Sequence, residues 1–350
     1  MKHLFLVHSS ITYYMSIAVV RSLGLSMTDV VFLCYRNYKA PNCAMEFSCF
    51  DISNCPNFPH PLTVRSIVKS NKLIKLIDNT IYKVCNNDNY IVYISTMSTL
   101  LSQVFVTNSL CLGYHFIEEG IANYRNNLYS EPATKRGSVV TIICSIFNLF
   151  HRRISLNYPF LKPFNKYVKK DFTPKYFLLE NKFHTSENKS NVVLLPFYKD
   201  SDVNYKYDYS NSRIFVMSPL LEYRLCSLEN LRSVICYFFS HLRGTDPFFV
   251  KYHPQQNTQT KELIASIALR YNVVIKEIDM SIPMEQVLLH SNNSRWYGFE
   301  SSLLFYASLL NPSVQSFSLS AILENQDPQY ATWLKTLPSI ILEASIRLKK

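Results

Sequence analysis

Short apolar runs alternate with longer stretches of helical spacing along most of the 350 residues. Leu4 to Val7 is the first run and predicts a strand, stopped by His8-Ser9-Ser10; residues 12–23 then repeat apolar positions at helical spacing. DVVFLCY (29–35) and YIVYIS (90–95) predict further buried strands, with helical segments near 64–82 and 98–106. The run from Leu112 to Ile117 ends on Glu118-Glu119-Gly120, and VVLL (192–195) predicts another strand. Residues 198–213 are polar, turn-rich and without apolar periodicity, which marks a connection between two domains, 1–200 and 201–350. The second half repeats the alternation. Strands are predicted at 214–217, 248–252, 273–278 and, as the last, 295–299; helices are predicted at 228–241, 258–271, 283–290 and from 303 onward. A final helix begins near Ser339, with Ile340, Ile341, Ala344 and Leu348 on one stripe, and is placed to pack across both lobes. Strand, helix, strand in this order predicts an α/β protein of two doubly wound parallel sheets.

Composition narrows the class. Apolar content of 48% with 17% charged residues describes a globular chain. Thirty-six Lys and Arg against 25 Asp and Glu give a formal charge of +11, which favours an anionic partner. The 24 Tyr and 23 Phe lie often in predicted strands, so they read as core, and no nucleic-acid partner is expected. Nine cysteines, without a C-x-x-C pair, suit reduced thiols in the cytoplasm rather than a disulfide framework or a zinc site. The first apolar run is too short for a secretory signal, and no run reaches the roughly 18 residues of a membrane span. Two basic borders, His151-Arg152-Arg153 after the apolar stretch 138–150 and Arg347, Lys349 and Lys350 near the end, could hold the protein against the anionic inner face of a membrane. A homodimer is compatible with all of this.

The candidate chemistry gathers at predicted strand ends, the edge where open α/β sheets bind ligands. Phe248 to Val250 is stopped by Lys251-Tyr252-His253-Pro254, and proline holds the residue before it extended at the strand's carboxyl end. Glu118 and Glu119 close another strand; adjacent strand residues point to opposite sides, so one of them can face a ligand. Ser301 and Ser302 open a helix after Gly298-Phe299-Glu300, and a helix start offers free N–H groups to an anion. His8, Ser9 and Ser10 stand at the first strand end, within reach of an acceptor or donor. Asp200-Ser201-Asp202 matches a metal-binding D-x-D pattern, but lies in the polar connection, where such matches arise by chance; no metal site is expected. Taken singly, an acidic turn, a strand-ending proline or a plain N-cap explains each motif.

Taken together and in order, Glu118-Glu119-Gly120, Lys251-x-His253-Pro254 and Ser301-Ser302 resemble the acidic-acidic-Gly, His-Pro and Ser/Thr pairs of bacterial sialyltransferases of the lipooligosaccharide sialyltransferase and polysialyltransferase type. Ser218-Pro219-Leu220 and Gly298-Phe299 sit where the resemblance wants them. It implies a GT-B-like pair of Rossmann-like lobes facing a cleft, an N-terminal acceptor-side lobe and a C-terminal lobe that binds CMP. The implied activity is inverting, metal-independent transfer from CMP-sialic acid, with no cofactor, to a glycan or glycolipid such as lipooligosaccharide, O-antigen or capsule. Glu118 or Glu119 would take the acceptor proton and His253 would assist the leaving phosphate. Lys251, Pro254, Ser218, Pro219, Gly298, Phe299, Ser301 and Ser302 would line the donor site. A GT-B transferase with a hexose or Kdo donor would share the fold and the paired acids. A non-catalytic glycan- or nucleotide-binding protein would keep the lobes without needing the His-Pro geometry.

Overall fold

A computed structural model describes residues 1–40, 47–53, 64–97, 99–120, 153–154, 172–179, 191–199, 208–242 and 247–348. The chain divides into two compact units, Met1–Tyr198 and Lys199–Lys350. The first carries strands β1 (Lys2–Val7), β2 (Val30–Cys34), β3 (Ser48–Asp51), β4 (Tyr90–Ile94), β5 (Cys111–Ile117), β6 (Tyr176–Leu178) and β7 (Val192–Leu194), with helices α1 (Ser10–Ser22), α2 (Val64–Cys85) and α3 (Leu100–Val106). The sheet order is β3-β2-β1-β4-β5-β6-β7 and every pairing is parallel. Chain order therefore reverses between β1 and β4, the position at which doubly wound sheets bind ligands.

Local sequence explains the first turn of this unit. Every residue of β1 from His3 to Val7 is buried, as a central parallel strand requires. Ser9 caps α1 by accepting from the Thr12 N–H, and Thr12 returns the bond to the cap in a capping box. Gly24, at φ +60°, ends the helix in the left-handed conformation that glycine adopts without penalty. All residues from Ile11 to Val20 are buried, so this helix is covered on every side and lacks a polar stripe. Arg153 is bound bidentately to Asp78 of α2, at 2.6 and 2.9 Å, and also donates to the Val104 carbonyl. Its guanidinium is thus an internal tie, not the free cation that a membrane-facing border needs. His151, Arg152 and the stretch 138–150 lie outside the described residues.

The second unit holds β8 (Arg213–Val216), β9 (Phe248–Lys251), β10 (Ile275–Glu277), β11 (Arg295–Gly298), β12 (Gln315–Ser318) and β13 (Ile346–Arg347). Its helices are α4 (Leu228–His241), α5 (Thr258–Arg270), α6 (Met284–His290), α7 (Ser302–Leu310), α8 (Ser320–Glu324), α9 (Pro328–Leu334) and α10 (Ser339–Glu343). The order β10-β9-β8-β11-β12-β13, again all parallel, repeats the plan of the first sheet with its reversal between β8 and β11. The α/β class of two doubly wound parallel sheets expected from the sequence is the one observed. Two details differ. The strand at 295–299 is not the last, since β12 and β13 continue the sheet; their Ser, Gln and Arg content hid them from a hydrophobic pattern. The terminal helix stops at Glu343, after which Ile346–Arg347 pairs with β12 and Arg347 bonds Glu324 at 2.8 Å. Leu342 and Leu348 pack on the second unit's own core.

Candidate active site

In the first unit four neighbouring strands deliver side chains to one edge. His8 follows β1, Tyr35 and Arg36 follow β2, Ser95 follows β4, and Glu118 and Glu119 follow β5. The two glutamates part as the pleat requires. Glu118 is wholly buried and its Oε2 accepts the Leu179 N–H at 2.7 Å, tying β5 to the chain after β6. Glu119 turns the other way, to His8, whose Nε2 lies 2.7 Å from its Oε1. Arg36 approaches the same oxygen at 3.7 Å. Gly120, at φ +132°, takes a backbone conformation that side-chain-bearing residues rarely adopt, so the acidic motif ends in glycine for a conformational reason.

The electrostatics follow from this packing. Burial alone would raise the Glu119 carboxyl, but the His8 hydrogen bond and charge, the Ser95 hydroxyl and Arg36 outweigh it and hold the group below its ordinary value. Glu119 is therefore a carboxylate at neutral pH. Burial raises the Tyr35 phenol to about 12, with Arg36 and a Ser95 hydrogen bond opposing. Arg36 and Asn37 both sit at positive φ, 56° and 59°, and Arg36 lies over the Tyr35 ring at 5.4 Å. Ser9 uses its hydroxyl to cap α1, and Ser10 opens the helix.

In the second unit the switch between β8 and β11 gathers another set. Ser218 and Pro219 follow β8; Phe299, Glu300, Ser301 and Ser302 follow β11; His253 follows the neighbouring β9. Gln256 joins two of these, accepting the His253 backbone N–H at 2.6 Å and donating to the Ser218 carbonyl at 3.4 Å. The His253 ring accepts the Gln255 N–H on Nδ1. Burial lowers its pKa, with the nearby Glu222 opposing. Glu222 itself accepts from the Asn257 N–H at 3.0 Å and from Thr260 Oγ1 at 2.8 Å, anchoring the start of α5. Ser301 caps α7, accepting from the Leu304 N–H, and Ser302 lies in the first turn beside it.

Three expected donor-site residues have other duties. The Lys251 ammonium is buried and donates to the Asp279 and Ile282 carbonyls, and burial brings its pKa to about 8 against the pull of Asp279, Glu285 and Glu277. Phe299 is wholly buried in the core of the unit. Gly298 permits close strand approach, since a Cβ there would stand 2.5 Å from the Val216 carbonyl oxygen. Pro219 is buried and Pro254 exposed. Beneath Ser301, Glu300 is buried and accepts from Ser318 at 2.8 Å; burial raises its pKa, with Ser318, Arg347 and Ser320 opposing. Tyr35, Arg36, Ser95 and Gln256 were missed from the sequence, although Tyr35 and Ser95 close predicted strand runs and Arg36 directly follows one. Asp200 and Asp202 lie outside the described residues, and among those described no three His, Cys, Asp or Glu side chains group as metal ligands.

Residues 39–319 match the family described as Alpha-2,8-polysialyltransferase (POLYST). The chain belongs to this family. No curated protein matches it. Among solved structures this polysialyltransferase-family chain is similar to MurG of Acinetobacter baumannii, with 12% identity, 99% of this chain and 85% of that chain covered, and a TM-score of 0.40. It is also similar to CalG4, the calicheamicin glycosyltransferase, at 9% identity, 99% and 85% coverage and a TM-score of 0.48. The UDP-GlcNAc 2-epimerase of Methanocaldococcus jannaschii is a third, at 11% identity, 99% and 89% coverage and a TM-score of 0.46. Within the polysialyltransferase-family chain, the family match spans Glu118-Glu119-Gly120, His253-Pro254 and Ser301-Ser302, and leaves His8 outside its limits.

Proposed function

We propose that the protein is an inverting sialyltransferase that moves sialic acid from CMP-sialic acid to a hydroxyl of a surface glycan. The observation that carries this reading is the Glu119 carboxylate, held ionised at the carboxyl edge of the first sheet in a member of the polysialyltransferase family. Glu119 removes the acceptor proton as the acceptor oxygen bonds to the anomeric carbon. The bond from that carbon to the phosphate oxygen breaks, and the departing CMP takes up the electron pair. A transition state of oxocarbenium character places charge on the leaving phosphate. His253 donates a hydrogen bond or a proton to it, and Ser301, Ser302 and the first N–H groups of α7 bind it. Lys251, tied to the Asp279 and Ile282 carbonyls, and Phe299, in the core of the unit, support the donor lobe.

The first lobe takes the acceptor and the second the CMP. Because the family description names an α-2,8 bond, a sialylated acceptor is the first class to try. The reaction runs without a metal ion: Glu119, His253 and the start of α7 supply the charge stabilisation that a divalent cation would otherwise give. A donor screen with radiolabelled CMP-sialic acid and UDP-sugars, in EDTA, tests this reading by following transfer and donor hydrolysis together. Transfer from CMP-sialic acid alone is the expected result. Tighter binding of UDP than of CMP, or transfer lost in EDTA and restored by Mn²⁺, overturns it.

A further inference from the structure

We propose that His8 is a positioning residue for Glu119, clamping the carboxylate through its Nε2–H in one orientation for proton removal; this rests on the reading of Glu119 as the base. The contact is short, 2.7 Å between His8 Nε2 and Glu119 Oε1, and joins residues 111 positions apart in sequence. The ring has little freedom. Its side chain is 6% exposed, the Tyr35 ring lies 4.8 Å away, and the His8 backbone N–H donates to Thr12 Oγ1 at the start of α1.

The other ring nitrogen supplies the second observation. His8 Nδ1 is buried and has no hydrogen-bond partner among the described residues. In the neutral ring the proton therefore belongs on Nε2, facing the carboxylate. The opposite tautomer would bury an unpaired N–H and turn a lone pair toward a negative charge, each of which costs free energy. The imidazole is a directional donor, as in other sites where a second group fixes the orientation of a catalytic one. Arg36 converges on the same Oε1 from 3.7 Å, so the carboxylate is gripped at that oxygen by two groups from β1 and β2. Among the described residues, the charged and titratable neighbours of Glu119 include His8, Arg36 and Tyr35, and the Ser95 hydroxyl bonds it as well.

The test compares His8→Ala and His8→Gln with wild type, following transfer, donor hydrolysis, thermal midpoint and the pH dependence of kcat/KM. His8→Ala is expected to lower transfer by 10-fold or more, roughly the loss of one hydrogen bond to a charged group. Donor hydrolysis, which relies on His253, should fall much less. Without its donor Glu119 takes up a proton at higher pH, so the acidic limb of the profile moves upward. The Gln amide restores part of the clamp and moves the limb back. Unchanged transfer and an unchanged profile in His8→Ala overturn the proposal. Equal loss of transfer and hydrolysis with a lower thermal midpoint also overturns it, since that marks a folding role. Nitrogen-15 NMR of the His8 ring reads the contact without activity. An Nε2–H tautomer that is lost in Glu119→Gln supports the clamp, and an Nδ1–H tautomer overturns it. A wild type inert toward CMP-sialic acid overturns the functional reading instead, and leaves the NMR measurement to judge the clamp.

Discussion

His253 Nδ1 accepts the backbone N–H of Gln255 at 3.2 Å, which leaves Nε2 as the nitrogen that carries the ring's proton in the neutral form. The turn that makes this bond is dictated by Pro254, which cannot extend the β9 ladder. The backbone thereby orients the imidazole before any nucleotide arrives. On the proposed function, a donor so placed would serve the leaving phosphate whichever nucleophile attacks the sugar. His253→Ala should therefore lower both transfer and slow hydrolysis of CMP-sialic acid by about 10²–10⁴-fold. Release of CMP, measured with and without acceptor, checks it. A variant that loses transfer but keeps full hydrolysis would move His253 to the acceptor side.

The two glutamates of the acidic motif should fail differently. Glu119→Gln removes the proposed base while leaving a hydrogen-bonding amide, so transfer should be abolished and CMP affinity kept within about twofold, well under the 1.4 kcal/mol of a tenfold change. Glu118 accepts the Leu179 N–H in a fully buried position. Gln can still accept there, so Glu118→Gln should keep most activity. Glu118→Ala would orphan the N–H and cost about 1–3 kcal/mol of stability. Titration calorimetry with CMP and thermal melts separate these outcomes. Full transfer by Glu119→Gln would remove Glu119 from the mechanism.

Much of this architecture could be read from the chain because central parallel strands are continuous apolar runs. Phe248 to Val250 and Leu4 to Val7 announce themselves and show where the strand ends must lie. Strands without an apolar run could not be read. Gln315–Ser318 and Ile346–Arg347 are short and half polar, and pairing with a neighbour, not composition, makes them strands. The same limit applies to the site. Glu118 and Glu119 were visible as a pair, but only the pleat and the neighbours assign one to Leu179 and the other to His8. Lys251 reads from the sequence as a donor-site residue, but only the structure shows that its ammonium is buried on β9 and donates to two carbonyls of the turn after β10.

Gly298 offers a test of how tightly the donor lobe is drawn together. It pairs with Val216 at the carboxyl ends of β11 and β8, two residues before Glu300 and three before the Ser301 cap. A methyl group at 298 would stand 2.5 Å from the Val216 carbonyl oxygen, and backbone cannot swing aside as a side chain can. Gly298→Ala should push the two strands apart where the switch point opens. The expected cost is roughly 1–3 kcal/mol, the range for overpacking. CMP affinity should fall with it, because Ser218 and Ser301 ride on the separated ends. Unchanged melting and unchanged CMP binding would show that the strands absorb the methyl group, and the close approach would then have no part in the donor site.

Stability should fall as the solution is made mildly acidic, and His115 should be a main cause. Its ring is buried between Tyr93, Phe172 and Phe177, and its Nδ1 accepts the Lys175 N–H at 3.0 Å. Burial, with smaller pushes from Lys175 and His3, lowers its pKa to about 4, and burial also lowers His3 and His253. The sign follows from proton counting. The unfolded chain binds a proton at each histidine near pH 6.5, while the folded chain resists it, so the unfolded state holds more protons and stability drops as pH falls below that value. For His115 the loss accumulates from about pH 6.5 to about pH 4 and totals roughly 3 kcal/mol at 1.36 kcal/mol per unit. Glu300 and Glu285, whose folded pKa values are raised, act in the opposite direction, but mainly at and above the ordinary carboxylate range. Thermal midpoints taken from pH 7 to pH 4.5 should therefore decline steadily. His115→Asn, which keeps an acceptor for the Lys175 N–H but no titrating ring, should start less stable and decline with a shallower slope. An identical slope in wild type and variant would mean that the fold already accommodates a charged His115, and that the acid sensitivity arises elsewhere.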